Sequence, residues 1–428
     1  MYISGLRLTE FRAVSRTEID LVHPGSIRSD TREVPNVSIL LGSNGGGKST
    51  VLKGIVAATL GPIVGLAPAA ANWPRRGTSA ECSARATLEL HEVDVDPDAT
   101  LSDETTGATI QTGVRISREG TVTEWLSAPS GPDLDDTGPA YFLAAYGPSR
   151  RVADDVSSLD AGLRRSTRLH RVASLIDDDT RLVPLEAWLF DHESTGRFAE
   201  IVQLVDALLP ADVSFEGASE DREFRYVQRG VAVPRAALSD GTQSYLAWVS
   251  DLVMRLADVA ADDPIATVPG VVLVDEVDQR IHPRWQERML SSLSANLPSL
   301  QFICSAHSPL LASALRPENL ILMEADLEAP GVGATKALRL REDIFGSTAD
   351  QVLRSSYFEL ESSRSDVFRS ELRTLARAAR QGNSEAALHF MRMLADAGDT
   401  IDDDAATDHS FGGRQPISRR GRARRPPR

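Results

Sequence analysis

Three features of the sequence predict an α/β fold built on a largely parallel sheet, with phosphate-binding machinery at one end of it. Apolar runs of strand length alternate with helical stretches between residues 242 and 315, the signature of strand–helix–strand units. A glycine-rich turn, Gly42-Ser43-Asn44-Gly45-Gly46-Gly47-Lys48-Ser49-Thr50, joins the buried-type run 37–41 to an apolar helix over 49–60. A second buried-type run, 271–274, ends in the acidic pair Asp275-Glu276.

In chain order, 1–41 reads as strands, with loose alternation over 3–8 and a short run at 19–22. After the helix, 84–93, 113–117 and 121–125 read as strands, the last two joined by Arg118-Glu119-Gly120 as a hairpin. Residues 128–139 are a Pro/Gly/Asp loop and 141–146 an apolar strand. The stretch 152–210 turns polar and helical until Pro210 stops it, and 213–233 returns to strands. Helices follow over 242–258, 283–295 and 308–315, interleaved with strands at 270–274 and 300–304. Short strands at 320–323 and 336–341 precede a helical region that runs from 347 to about 397. There Phe368, Leu372, Leu375 and Ala379 form one packing stripe, and Leu388, Met391 and Leu394 another.

Composition bounds the function. Hydrophobic residues make up 42% and charged residues 25% of the 428, which supports a folded core and excludes bulk disorder. Lys+Arg 46 against Asp+Glu 61 gives −15, so the chain does not coat nucleic acid by bulk charge, although a local basic patch stays open. Two cysteines, Cys82 and Cys304, supply neither a disulfide framework nor a four-cysteine zinc site. Arg7, Glu10 and Arg12 interrupt the start before any long apolar stretch, so no signal peptide is expected. The uncharged run 54–73 is long enough for a bilayer, but Gly61, Pro62, Gly65 and Pro68 break it. No membrane partner and a cytoplasmic location are expected.

The glycine-rich turn fits G-x-x-x-x-G-K-[ST] between a strand and a helix, the P-loop context. Glycines let the backbone N–H groups of 42–50 wrap phosphate, Lys48 adds a mobile positive charge, and the Ser49 hydroxyl suits Mg²⁺. ATP and Mg²⁺ are the expected ligands. At the end of its strand Asp275 fits a second Mg²⁺ contact, made through water, and Glu276 fits a base that polarises the attacking water. In Leu238-Ser239-Asp240-Gly241-Thr242-Gln243-Ser244, Ser239 and Gly241 offer a hydroxyl and a helix-terminal backbone to phosphate, or simply a helix cap. His307 follows the strand 301–304 and is a candidate catalytic residue beside Glu276 and Lys48.

P-loop, LSxG, apolar strand with Asp-Glu, then strand with His is the layout of ABC-type ATPases. The segments LSDGTQSYLAWVSDLVMRL, VVLVDEVDQRIHPRWQERML and QFICSAHSPLL resemble RecF/SMC-like and OLD-like AAA family ATPases. The resemblance is greatest to the PtuA-like, Septu-type ATPases of anti-phage defence, through His282-Pro283, Trp285-Gln286 and the opening Leu6, Leu8, Phe11 and Arg12. Arg280 stands where relatives carry histidine, and Ser149 and Arg150 stand where they carry a glutamine loop. The resemblance implies an ABC-type P-loop ATPase head with a helical lid insertion and a C-terminal helical extension. The head would span 1–150 and 236–342, the lid 151–235, the helical extension 343–400 and a disordered tail 401–428. It also implies a homodimer sandwiching ATP, with Ser239 and Gly241 reaching the partner's nucleotide, and a separate HNH-type nuclease as effector. The seven arginines of 414–428 suit nucleic-acid phosphates. A RecF/SMC-like DNA repair ATPase is the other reading. A transporter ATP-binding subunit fits less well with the insertion at 151–235 and the C-terminal helices.

Overall fold

The computed structural model describes residues 1–26, 34–77, 81–91, 109–126, 142–153, 167–192, 196–218, 224–260, 262–326, 334–358, 360 and 366–396. The loop expected at 128–139 and the tail 401–428 lie outside them. The chain divides into two compact units, 1–360 and 361–428.

The first unit opens with β1 (Tyr2–Phe11), β2 (Val14–Asp20), β3 (Val37–Gly42) and α1 (Lys48–Leu60). Then come β4 (Glu81–Glu89), β5 (Thr109–Ser117), β6 (Val122–Leu126), β7 (Phe142–Tyr146) and β8 (Arg151–Val152). Next come α2 (Thr167–Ile176), β9 (Arg181–Leu182), α3 (Leu185–His192), α4 (Phe198–Leu208), β10 (Val213–Ala218), β11 (Phe224–Gln228) and β12 (Val231–Val233). The unit continues with α5 (Asp240–Val259), β13 (Gly270–Val274), α6 (Pro283–Asn296), β14 (Leu300–Ser305) and α7 (Pro309–Ser313). It closes with β15 (Leu320–Ala325), β16 (Thr335–Leu338) and α8 (Ala349–Arg354).

Eleven strands form one sheet in the order β6-β5-β4-β1-β2-β16-β15-β3-β14-β13-β7. From β15 to β7 all pairings are parallel. From β6 to β2 they are antiparallel, so the sheet is mixed rather than largely parallel. The alternating strand–helix pattern of 242–315 covers only the parallel half. In the other half β1–β2 and β5–β6 are hairpin-like returns, and β4 comes back beside β1 after β3 and α1. The expected hairpin at 113–125 is β5–β6, turning through Gly120 at φ 83°.

Both faces of the parallel half are covered, and this explains its continuous apolar runs. Successive residues point to opposite faces. Val272 and Val274 therefore join one core with α3 to α7, while Val271 and Leu273 join another with α1 and α2. The apolar run after α1 breaks at Gly61 into two short 3-10 segments, Gly61–Leu66 and Pro68–Asn72. Among the described residues no helix is long and apolar enough to cross a membrane.

A buried amide crosses between the halves. Gln301 Nε2 donates to Ile3 O (2.7 Å) and Val22 O (2.9 Å), and Oε1 accepts from Ile3 N (2.8 Å). With no water available, these bonds satisfy backbone groups that the sheet leaves open there.

In the second unit α9 (Asp366–Arg380) and α10 (Ser384–Asp396) form a helical hairpin. Gly382 turns it at φ 93°, and Asn383 Oδ1 caps α10 by accepting from Glu385 N and Ala386 N, both at 3.0 Å. Leu372, Ala386 and Leu394 are buried, whereas Leu388 and Met391 of the second expected packing stripe are exposed.

Candidate nucleotide site

The C-terminal ends of the parallel strands open onto a cavity of about 690 Å³. This is where ligands bind in open α/β sheets. Asn44 through Thr50, Asp275, Glu276 and His307 line it, together with Arg12, Ala13, Asn72, Pro74, Arg75 and Arg76. Gly42 and Ser43 take part through their carbonyls, which accept from Lys48 Nζ at 2.8 and 2.9 Å. Gly47 sits at φ 94°, and a Cβ there would meet Thr335 Oγ1 at 2.6 Å, so the turn before α1 requires glycine.

The ends of β7, β13 and β14 are tied into one unit. Asp275 N donates to Tyr146 O (2.8 Å) and Val277 N to Ser305 O (2.9 Å). The Ser305 hydroxyl donates to Asp275 Oδ1 (2.5 Å) and accepts from Glu276 N (2.7 Å). Asp278 Oδ2 accepts from His307 N (2.9 Å). Glu276 adopts φ 49° and Arg280 φ 60°. Non-glycine residues in this region are strained, and such strain gathers at functional sites.

Of the two adjacent arginines, Arg151 is exposed, but Arg150 is only 3% exposed. Its Nη2 donates to the carbonyls of Asp275 and of Glu276 (2.8 Å to the latter), and Nε donates to Gly147 O (3.1 Å). The guanidinium carbon lies 5.9 Å from the Trp248 ring centroid. Burial pushes the Arg150 pKa down to about 10, which leaves it charged at neutral pH.

Charge makes the cavity suited to a polyanion. Burial lowers the pKa of Lys48, opposed by Asp275, Glu276 and Asp278. Burial and then the neighbouring Arg76 lower that of Arg12, while burial and then Arg12 lower that of Lys53. Both terminal nitrogens of Arg75 are buried without a hydrogen-bond partner, Nη1 lying 3.8 Å from Glu10 Oε2. Neighbouring cations that repel one another and the buried, unused donors of Arg75 fit a bound triphosphate. Ser49 and Asp275 present hard oxygen donors in the same cavity, which fits Mg²⁺.

Ser239 and Gly241 do not line the cavity. Ser239 is exposed and caps α5, its Oγ accepting from Thr242 N at 3.3 Å. A Cβ on Gly241 would collide with the carbonyl oxygen of Arg280, so this glycine packs the start of α5 onto the loop after β13. Sequence reasoning missed Arg75, Arg76 and Ser305, and quoted Arg12 without a role. A hydroxyl ending a buried strand was the available signal for Ser305. The arginines lie far from the P-loop in sequence and carry no local pattern.

Residues 37–313, from β3 to α7, match the family described as "AAA domain, putative AbiEii toxin, Type IV TA system". The chain belongs to this family. Its core is thus an AAA-type ATPase domain, with the cavity above enclosed by the matched segment and by the turn after β1. The chain is 31% identical over 148 residues to the "Retron Vc95 probable ATPase" of Vibrio cholerae serotype O1 biovar El Tor, covering 34% of this chain and 27% of that protein. It is 30% identical over 158 residues to "Septu protein PtuA" of Bacillus mycoides strain KBAB4, covering 36% of this chain and 21% of that protein. The matches thus take in about a quarter of each relative's length. Among solved structures, an SMC head bound to the C-winged helix domain of ScpA is similar at 14% identity and a TM-score of 0.47, over 79% of this chain and 98% of that one.

Proposed function

We propose that this AAA domain is an ATP-driven switch, in which bound ATP holds two copies face to face and the closed pair licenses a separate nuclease in anti-phage defence. The observation that carries the reading is the meeting of Lys48, Ser49, Asp275, Glu276 and His307 in one cation-rich cavity. Lys48 leaves the Gly42 and Ser43 carbonyls for the β- and γ-phosphates, a mobile charge on a flexible stem. Ser49 and Asp275 would hold Mg²⁺, which would neutralise phosphate charge. Glu276 accepts the proton of the attacking water, and His307 faces the terminal phosphate.

Ser239 and Gly241 support the dimer. They are poised at an exposed helix start outside their own chain's cavity, as a contact to a partner's nucleotide requires. Similarity to a retron ATPase and a Septu protein supports the defence setting. The HNH-type nuclease partner and a role for nucleic acid belong to the same proposal.

Glu276→Gln tests it. The variant binds ATP, loses about 10²–10⁴-fold in turnover, and runs as a dimer by light scattering when ATP is present. A shared site is checked by mixing Lys48→Ala with Ser239→Arg. Each homodimer carries two dead sites, but a mixed dimer keeps one whole. Random mixing restores roughly a quarter of wild-type activity if the sites act independently. Turnover surviving in the Ser239→Arg homodimer overturns the shared site.

A further inference from the structure

A guanidinium lies beneath the acidic pair, and the P-loop machinery assigns it no task. Gly147, where a Cβ would collide with Ser174 O, turns the chain out of β7, and Arg150 then folds back at φ 37°. Its Nη2 meets two successive carbonyls, those of Asp275 and Glu276. The first belongs to the peptide plane entering Glu276 and the second to the plane leaving it. The entering plane is also held at its nitrogen by Ser305 Oγ. Holding both planes fixes φ and ψ of Glu276, which would otherwise relax from φ 49° toward the favoured regions. The backbone angles set the direction of Cβ, and therefore where the carboxylate stands.

We propose that Arg150 is a positioning residue for hydrolysis, clamping the backbone of Asp275 and Glu276 so that the Glu276 carboxylate is aimed at the attacking water. The proposal rests on the reading of Glu276 as the base. Arginine suits the task because Nε reaches Gly147 O while Nη2 spans the other two carbonyls. A lysine ammonium is a point charge without this planar fork. The Trp248 ring on α5 walls the guanidinium in. Arg150 does not line the cavity, so its removal leaves the phosphate contacts in place.

The experiment is a double-mutant cycle on the full chain, with Arg150→Met and Arg150→Lys made alone and on the Glu276→Gln background. Alone, each keeps its ATP affinity within about threefold and loses about 10²-fold in kcat, the usual cost of a displaced catalytic group. On the Glu276→Gln background neither loses anything further, because the group that Arg150 aims is already gone. Arg150→Lys keeps the buried charge, so it carries the cycle if Arg150→Met does not fold. Losses that multiply in the double variant overturn the proposal, as does wild-type kcat in Arg150→Met. Wild-type turnover in Glu276→Gln alone instead overturns the base assignment, and the positioning role with it.

Discussion

The two halves of the sheet follow different rules. In the parallel half every strand is covered on both faces, so β13 and β14 are buried throughout and their functional groups appear only where the strands end. Asp275 and Glu276 follow β13, while Ser305 closes β14 with His307 two residues beyond it. In the antiparallel half β2 alternates, with Arg16, Glu18 and Asp20 outward and Val14, Thr17 and Ile19 inward. Its contribution to the cavity comes from connections: Arg12 between β1 and β2, and Arg75 and Arg76 ahead of β4. The parallel half thus supplies Lys48 at the P-loop and acidic groups held by strand ends, and the other half supplies further positive charge on turns. Changes in the parallel half should therefore cost binding and turnover, and changes in the other half affinity alone.

The largest effect is expected at the start of α1 in the parallel half. Lys48→Ala abolishes ATP binding in calorimetry, since no other side chain replaces its charge-assisted bonds to phosphate, and leaves the circular dichroism spectrum unchanged. Affinity close to wild type would break the division of labour. Next, Leu88→Ala in β4 removes a fully buried side chain from the core beside α1. It lowers stability by about 2–5 kcal/mol in chemical denaturation yet leaves kcat unchanged well below the melting temperature. A changed kcat would mean that the antiparallel half also shapes the chemistry. Arg12→Ala weakens ATP binding about tenfold, about 1.4 kcal/mol, with kcat at saturating ATP intact. A fall in kcat with KM unchanged would move Arg12 to the catalytic side. Deleting 414–428 has the smallest effect: ATP turnover stays constant, and any nucleic-acid binding weakens mainly at low salt. Lost basal turnover in that truncation counts against a purely accessory tail.

The same contrast explains what could be read from the sequence. Strands covered on both faces write themselves as apolar runs, so β3, β13 and β14 and the residues at their ends were visible. The hairpin of β5 and β6 was visible from alternation around Gly120. The joining of both halves into one sheet was not, because β16 pairs with β2 through a single register point, Thr335 to Val14, which no local pattern encodes. Arg150 was noticed for standing where a glutamine was expected, but its burial depends on Tyr146, Trp248 and Asp275 meeting across 125 residues of chain. Arg75 was hidden for the same reason.

Gln301 has a consequence for measurement. Both of its side-chain amide protons are committed, one to Ile3 O in β1 and one to Val22 O just past β2, and its oxygen takes the Ile3 amide. Neither proton exchanges with solvent unless β14 parts from the N-terminal strands. A single glutamine amide pair, followed by NMR in deuterated water with and without nucleotide, therefore times how often the two halves separate.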